Sequence, residues 1–354
     1  MNLLLFNLKT DADDTVLGFT TEWINELAKH CEHITVITMT AGRIAVAPNV
    51  EVFSVGKEKG WSELRRAGEF YRLLWRTLRH RRFDACFAHM MPLFALMGWP
   101  LLNIDNIPVT LWYAHGYVSW LLRVTTRLVD NVVTSSKSGF QIETPKLRII
   151  GQGIDTTRFS PRTRQVPGDR LVVLTVGRVS AVKRLELLIE ALALLGAENR
   201  NRILVRFVGD PITGNDKLYL KELQDKAAAM GVADIIEFVP GVAFHRIHDI
   251  YAEADIFVNS SNTDSIDKTV LEAMSSGLPV VTSNVAFMDV LDPDLSDDWV
   301  IEKGKAQPLA ERLSALIEMS PETRSNLGIR LRDAVQRYHT LPALIERLMS
   351  IMKR

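Results

Sequence analysis

Short runs of consecutive apolar residues recur along the chain, separated by stretches in which apolar positions return every three or four residues. The runs at 3–6, 34–39, 52–55, 83–88, 109–113 and 131–135 form one series. Those at 172–176, 203–208, 235–238, 256–259 and 280–283 form a second. They are continuous rather than alternating, the pattern of parallel strands covered on both faces. Between them, 21–30 sets Trp23, Ile24, Leu27 and Ala28 on one helical face, and 185–195 is apolar with Glu186 and Glu190 outward. The helix expected over 216–230 is followed by Gly231, a residue suited to a helix C-terminus. This alternation predicts right-handed βαβ units, hence two doubly wound, Rossmann-like α/β domains with ligands at the carboxyl ends of their strands, in a cleft that the domains face across. The two series part near 159–170, a polar stretch holding Pro161, Pro167 and Gly168, and beyond 292–298 the chain reads as helical.

Composition narrows the class. The chain has 354 residues, more than one ordinary core needs, which agrees with two domains. Lys plus Arg and Asp plus Glu both total 42, so nothing points to bulk nucleic-acid binding. Cys31 and Cys86 are the only cysteines, too few for a disulfide framework or a zinc site, and they suit a reducing compartment. The opening Met-Asn-Leu-Leu-Leu-Phe lacks a basic region and reads as a buried strand, not a signal peptide. The longest apolar run, 90–102, is broken by Pro92 and Pro100 and is shorter than the ~18 residues of a membrane span. A cytoplasmic protein is expected, with peripheral contact at the inner face of the membrane left open.

Two elements of the second series carry chemistry. Gly177-Arg178-Val179-Ser180-Ala181-Val182-Lys183 follows the run at 172–176 directly. The glycine permits close backbone approach, and the two cations leave a strand end together, where they suit a diphosphate. The alternative is a pair of surface cations on a βα loop. The second element is Asp264-Ser265-Ile266-Asp267-Lys268-Thr269-Val270-Leu271-Glu272, which leads to Gly277 and Pro279. A helix starting near Asp267 would turn its free N–H groups toward an anion. Glu272, more than one turn in, can accept two vicinal hydroxyls such as those of a ribose; the alternative is an N-capped amphipathic helix with a solvated glutamate. There is no Gly-x-Gly-x-x-Gly fingerprint, no Walker A and no Asp-x-Asp beside this site, so no metal is expected.

The spacing of Gly177, Arg178 and Lys183 from acid-x7-Glu272-Ala-Met-x-x-Gly277-x-Pro279-Val-Val resembles the retaining GT-B glycosyltransferases of family 4, the glycosyl transferases group 1. The segment from Gly151 through Gly153, Asp155 and Phe159 to Pro161 is similar to the family's hinge, Val208-Gly209-Asp210 to its Gly-acid turn, and Tyr251 to Val258 to its penultimate strand entry. The resemblance implies a nucleoside-diphosphate sugar (UDP- or GDP-linked) as donor, with no other cofactor. It implies that Arg178 and Lys183 hold the diphosphate, that Glu272 binds the ribose, and that Gly177, Gly209, Val242, Ser265, Ile266, Asp267, Lys268 and Thr269 line the donor site. Asp264 stands where the family has a glutamate that contacts the donor sugar, one methylene longer. Lys268 is unusual in a loop that is commonly Gly- and apolar-rich; it can favour an acidic group on the donor or pair with Asp264. His115 looks like the family's histidine on the transferred sugar. The implied domains are 1–160 for the acceptor, with a helix at 341–354 packing back on it, and 161–340 for the nucleotide sugar. Retention at the anomeric carbon and bacterial cell-surface polysaccharide synthesis are likewise implied by the resemblance.

The first domain matches less closely. Its first loop carries Asp13 and Asp14 and one glycine, Gly18, where the family has a Gly-Gly pair. Two carboxylates beside a diphosphate would repel it, so they are assigned to the acceptor side with His89 and His115, or are a helix-terminal acidic pair. His245 and His248 read as surface residues. Seven arginines between Arg65 and Arg82, with Trp61, Phe70 and Trp75 among them and a stripe of Ala67, Tyr71, Leu74 and Leu78, describe either a sheet-covering helix or one that lies on anionic lipid beside a glycan or lipid-linked acceptor. Two other functions fit the same residues. A nucleotide-sugar epimerase or phosphorylase on this scaffold would differ by phosphate dependence, and a non-catalytic nucleotide-sugar binder by tight binding without turnover.

Overall fold

The computed structural model describes residues 1–162, 170–263 and 265–353. Asp264 and the linker residues Pro167 and Gly168 lie outside the described residues. The chain divides into two compact units, one made of Met1–Gly151, Ala243–His245 and Leu341–Arg354, the other of Gln152–Val242 and Arg246–Thr340.

In the first unit, strands β1 (Asn2–Thr10), β2 (His33–Ala41), β3 (Val50–Ser54), β4 (Ala85–His89), β5 (Val109–Trp112), β6 (Asn131–Thr134) and β7 (Leu147–Ile149) form one parallel sheet in the order β3-β2-β1-β4-β5-β6-β7. Both of its faces are covered. Leu3 and Leu5 of β1 join Trp23, Leu27 and Val36 on one side, whereas Leu4 and Phe6 join Phe70, Leu74, Phe94 and Leu111 on the other. Successive side chains of a strand point to opposite faces, so double coverage is why β1 is continuously apolar. The helix Leu341–Met352 completes the first face with Leu341, Leu344, Ile345, Leu348, Met349 and Met352, a 3–4 spacing that buries one whole side of it. Each such side chain contributes roughly 1.5–3 kcal/mol of apolar burial.

The arginine-rich segment is the helix Glu63–His80, opened by Ser62, whose hydroxyl accepts the Arg65 N–H. Its buried face is Phe70, Leu73, Leu74 and Thr77, not the expected stripe through Tyr71, which is exposed. Phe70 settles the rotation by packing edge-on against Phe6 and tilted on Phe94, with centroids 5.5 and 4.5 Å away.

In the second unit, β8 (Leu171–Val176), β9 (Ile203–Val208), β10 (Ile236–Val239), β11 (Ile256–Asn259) and β12 (Val280–Thr282) form a parallel sheet in the order β10-β9-β8-β11-β12. The helix Gly214–Ala229 starts on a reciprocal cap between Thr213 and Asp216 and stops before Gly231, whose φ of +67° favours glycine. Both units are Rossmann-like α/β domains. In each, the strand order reverses once, between β1 and β4 and between β8 and β11, and a crevice opens at the carboxyl end of such a switch point.

Candidate functional site

The second unit's switch point brings its two sequence motifs together. β8 is followed directly by Gly177, whose φ is +146°, and a short turn, Ala181–Lys183, leads through Arg184 at φ +49° into the helix Leu185–Leu194. The Ser260 hydroxyl at the end of β11 fixes that entry by donating to the carbonyls of Lys183 and Arg184 at 3.0 and 2.9 Å. The neighbouring turn approaches closely: a Cβ on Gly209 would stand 1.9 Å from the Gly177 carbonyl oxygen, and Gly209 itself has φ +151°. Only glycine fits there. Asp210 ties in the third turn by accepting the Gly241 N–H at 3.0 Å, next to partly buried Val242.

Lys183 reaches across the switch point. Its ammonium lies 3.0 Å from Oδ1 of Asp267, and both side chains are largely buried, 19% and 15% exposed. The other Asp267 oxygen accepts from Asn259 Nδ2 at 3.1 Å and Thr263 Oγ1 at 2.9 Å. Asp267 holds the N-cap position of the helix Lys268–Ser275, yet its carboxylate makes no capping bond, so the expected cap is replaced by a side-chain network. Burial pushes this carboxyl up, but the Lys183 charge and the hydrogen bonds from Lys183, Thr263 and Asn259 outweigh it and hold it below the ordinary value.

Just before that helix, Ser265 is tied by Asn284 Nδ2 donating to its carbonyl at 2.8 Å, and Ile266 is buried. The Thr269 hydroxyl is buried without a hydrogen-bond partner among the described residues. Glu272 is 4% exposed, so the solvated alternative is excluded. It accepts the Tyr251 hydroxyl proton at 2.8 Å. Burial raises its pKa to about 7, against the lowering effect of the Tyr251 hydrogen bond and of the Lys268 charge one turn away. Arg178 stands apart from this network. Among the described residues its carboxylate partner is Asp216 in the first turn of the helix Gly214–Ala229, 4.0 Å away, and 42% of the Arg178 side chain is exposed. Gly177, Arg178, Val179, Lys183, Asn259 and Ser260 line one pocket. A loosely held guanidinium and an ammonium on one pocket, with the ammonium reaching the start of the helix Lys268–Ser275 through Asp267, are suited to an anion.

The first unit's candidates are organised differently. Asp13 takes both ends of the Arg43 guanidinium at 2.7 and 2.8 Å and has His245 Nδ1 at 3.3 Å. The hydrogen bonds from Arg43 hold its carboxyl below the ordinary value. Asp14 bonds the Lys9 ammonium and accepts the backbone N–H groups of Val16 and Leu17 at 2.9 and 2.5 Å. The acidic pair is therefore already compensated, Asp13 by Arg43 and His245 and Asp14 by Lys9 and two backbone N–H groups. Gly18 is required there because a Cβ would stand 2.6 Å from the Asp14 carbonyl oxygen and 2.5 Å from Phe244 Cβ. His89 ends β4 and is buried among Phe19, Trp23 and Trp112, with ring centroids 4.9–6.2 Å away. His115 lies three residues beyond the end of β5. It is exposed in the loop after β5, and its Nδ1 accepts the Tyr117 N–H at 3.0 Å, which leaves Nε2 as the donor in the neutral ring. His245 is exposed as expected, while His248 is partly buried, 3.2 Å from Asp249.

Residues 156–333, just over half of the chain, match the model of the family described as glycosyl transferases group 1. The chain belongs to this family. As a member of the glycosyl transferases group 1, it is 27% identical over 253 residues to the D-inositol 3-phosphate glycosyltransferase of Streptosporangium roseum, covering 68% of this chain and 58% of that one. It spans about half the length of the curated relatives it matches, 49%, 58% and 53% for three of them. Its fold is similar to Anabaena Alr3699/HepE in complex with UDP, with a TM-score of 0.76, 17% identity and 99% of both chains covered. It is likewise similar to sucrose-phosphate synthase from Thermosynechococcus elongatus, with a TM-score of 0.79, 16% identity and 98% of both chains covered. The two Rossmann-like domains of this group 1 chain are thus those of the GT-B fold.

Sequence reasoning missed the polar residues that organise the second unit's site. Asn259 and Thr263 hold Asp267, Asp216 faces Arg178, and the Tyr251 hydroxyl satisfies Glu272. An asparagine closing the otherwise apolar run 256–259 was the one available signal.

Proposed function

We propose that this protein is a retaining glycosyltransferase of family 4 that moves a sugar from a nucleoside diphosphate to a hydroxyl of a glycan or lipid-linked acceptor. The observation that carries the reading is the meeting of Lys183 and the start of the helix Lys268–Ser275 at the second unit's switch point, with Arg178 on the same pocket. In this reading residues 161–340 take the donor. Arg178 and Lys183 bind the diphosphate and stabilise the charge that grows on it as the bond to the anomeric carbon breaks. Glu272 takes the ribose once Tyr251 shares it, Thr269 supplies a hydroxyl, and Asp264 contacts the donor sugar. The acceptor hydroxyl attacks from the face the diphosphate leaves, and its proton passes to the departing phosphate oxygen. The charge work falls to the two cations, without a metal ion. The binding of UDP by Alr3699/HepE supports a nucleoside diphosphate as ligand.

Residues 1–160 would serve the acceptor, with His115 at the transferred sugar and Asp13, Asp14 and His89 behind it. A lipid-linked acceptor is supported by the helix Glu63–His80. Its solvent side carries Leu64, Tyr71 and Trp75 in helical register, flanked by Arg65, Arg72, Arg76 and Arg79. Aromatic and apolar side chains beside arginines suit an anionic bilayer surface, and no helix among the described residues is long and apolar enough to cross a membrane. Cell-surface glycan assembly would place such an enzyme at the inner face of the membrane.

The test is titration of UDP, GDP and ADP into the protein, followed by transfer from the corresponding sugar nucleotide with EDTA present. One diphosphate should bind, Arg178→Ala should lose that affinity, and product NMR should show retained anomeric configuration. Unchanged binding by Arg178→Ala and Lys183→Ala would remove the donor site, and phosphate-dependent turnover would favour a phosphorylase.

A further inference from the structure

The two cations of the pocket differ in how they are held, and the difference has a chemical consequence. Arg178 is loosely placed, with Asp216 at 4.0 Å and much of its side chain exposed. Lys183 is clamped, with Asp267 at 3.0 Å and little exposure. Asp267 in turn is locked by Asn259 and Thr263 and carries its charge at the mouth of the helix Lys268–Ser275, the place where a ligand's anion would sit. The carboxylate makes no capping bond to that helix; its hydrogen bonds go instead to Lys183, Asn259 and Thr263. An ammonium has three donors, and one is committed to Asp267.

We propose that Asp267 is the site's internal counter-anion: a positioning residue that fixes the Lys183 ammonium and, by its own charge, weakens the hold on a diphosphate so that the spent nucleotide can leave. The inference rests on the donor-site reading above. A diphosphate bound there shares Lys183 with Asp267 and takes the remaining N–H donors. The fixed negative charge opposes it within a few ångströms in a partly buried setting, where screening is weak.

The sign of the effect separates this role from a purely structural one. Asp267→Asn keeps the size, still offers Lys183 an oxygen and removes the charge. UDP and inorganic pyrophosphate should then bind tighter by about tenfold or more, equivalent to ~1.4 kcal/mol, while uridine affinity stays the same. In the steady state, release of the diphosphate product should slow, so kcat falls as KM falls. Should the asparagine variant fail to fold, Asp267→Gly at the same backbone position should move diphosphate affinity in the same direction. Unchanged or weaker UDP and pyrophosphate binding in a folded variant overturns the counter-anion role. If Arg178→Ala and Lys183→Ala still weaken UDP in that case, the donor site stands and only this inference falls. If they too leave UDP unaffected, the donor-site reading has failed first.

Discussion

The loops that follow β1 and β8 occupy the same topological station, after the first strand of a parallel sheet at its switch point, and they carry opposite charge. The loop after β1 is built from Asp11, Asp13 and Asp14, neutralised from outside by Lys9, Arg43 and His245. The loop after β8 is built from Arg178 and Lys183; among the described residues Lys183 is paired closely with Asp267 at 3.0 Å, and Arg178 only at 4.0 Å with Asp216. Both backbones need a glycine nearby for the same reason, the approach of a carbonyl: Gly18 against Asp14 and Gly209 against Gly177. The fold thus supplies a crevice twice, and the residues in the crevice decide what it can take. An acidic loop whose charges are already satisfied offers hydrogen-bond acceptors, which suit hydroxyls. A cationic loop with a loosely paired, exposed guanidinium suits phosphate.

The contrast is broken most directly at Arg178. Arg178→Ala should lower turnover by on the order of 10²–10³, as removal of one preorganised donor does elsewhere, while the melting temperature holds, because the side chain is largely exposed and its carboxylate neighbour among the described residues, Asp216, is 4.0 Å away. A comparable loss from Asp13→Asn would erase the distinction between the loops.

Next in size is Gly209→Ala, which forces a Cβ to 1.9 Å from the Gly177 carbonyl oxygen at φ +151°. It should destabilise the second unit by roughly 2–4 kcal/mol in a denaturant titration. Gly18→Ala should act the same way on the first unit, through the Asp14 carbonyl and Phe244.

Glu272 sharpens the comparison through pH. Its folded pKa of about 7 lies above the unfolded value, so the native state holds the proton more tightly. The stability this contributes is fully present below about pH 4.5 and is lost as pH rises toward 7. Glu272→Gln should flatten that part of the profile, by an amount on the order of a few kcal/mol, as read from melting temperature against pH. The smallest effect is expected at Arg43→Ala. Its partner Asp13 is solvent-exposed, so the melting temperature should not change measurably, and only an acceptor-dependent KM should respond.

Much of this was legible in the chain. All eleven apolar runs overlap strands, because burial on both faces favours apolar residues at successive positions, most fully in the central strands β1, β4, β8 and β11. The strand missed was β7, three residues at an edge, two of them exposed, where that demand lapses. The helix Glu63–His80 was visible but its rotation was not, since Tyr71 and Phe70 are equally apolar on paper and only packing against Phe6 and Phe94 chose between them. The motif spacing around Arg178, Lys183 and Glu272 pointed to a phosphate-binding crevice. It could not show that Asp267 turns from its helix to Lys183, nor that Glu272 is buried against Tyr251.

The sequence by itself determined the alternation of elements, the double coverage of the sheets and the residues able to meet an anion, because these follow from local periodicity and side-chain chemistry. Only the tertiary structure decided which charges are open and which are spent. Lys183 and Asp267 are 84 residues apart in the chain, and Arg43 and Asp13 are 30 apart. A charge is neutralised by whatever lies within a few ångströms of it, and distance in space is a property of the folded chain alone.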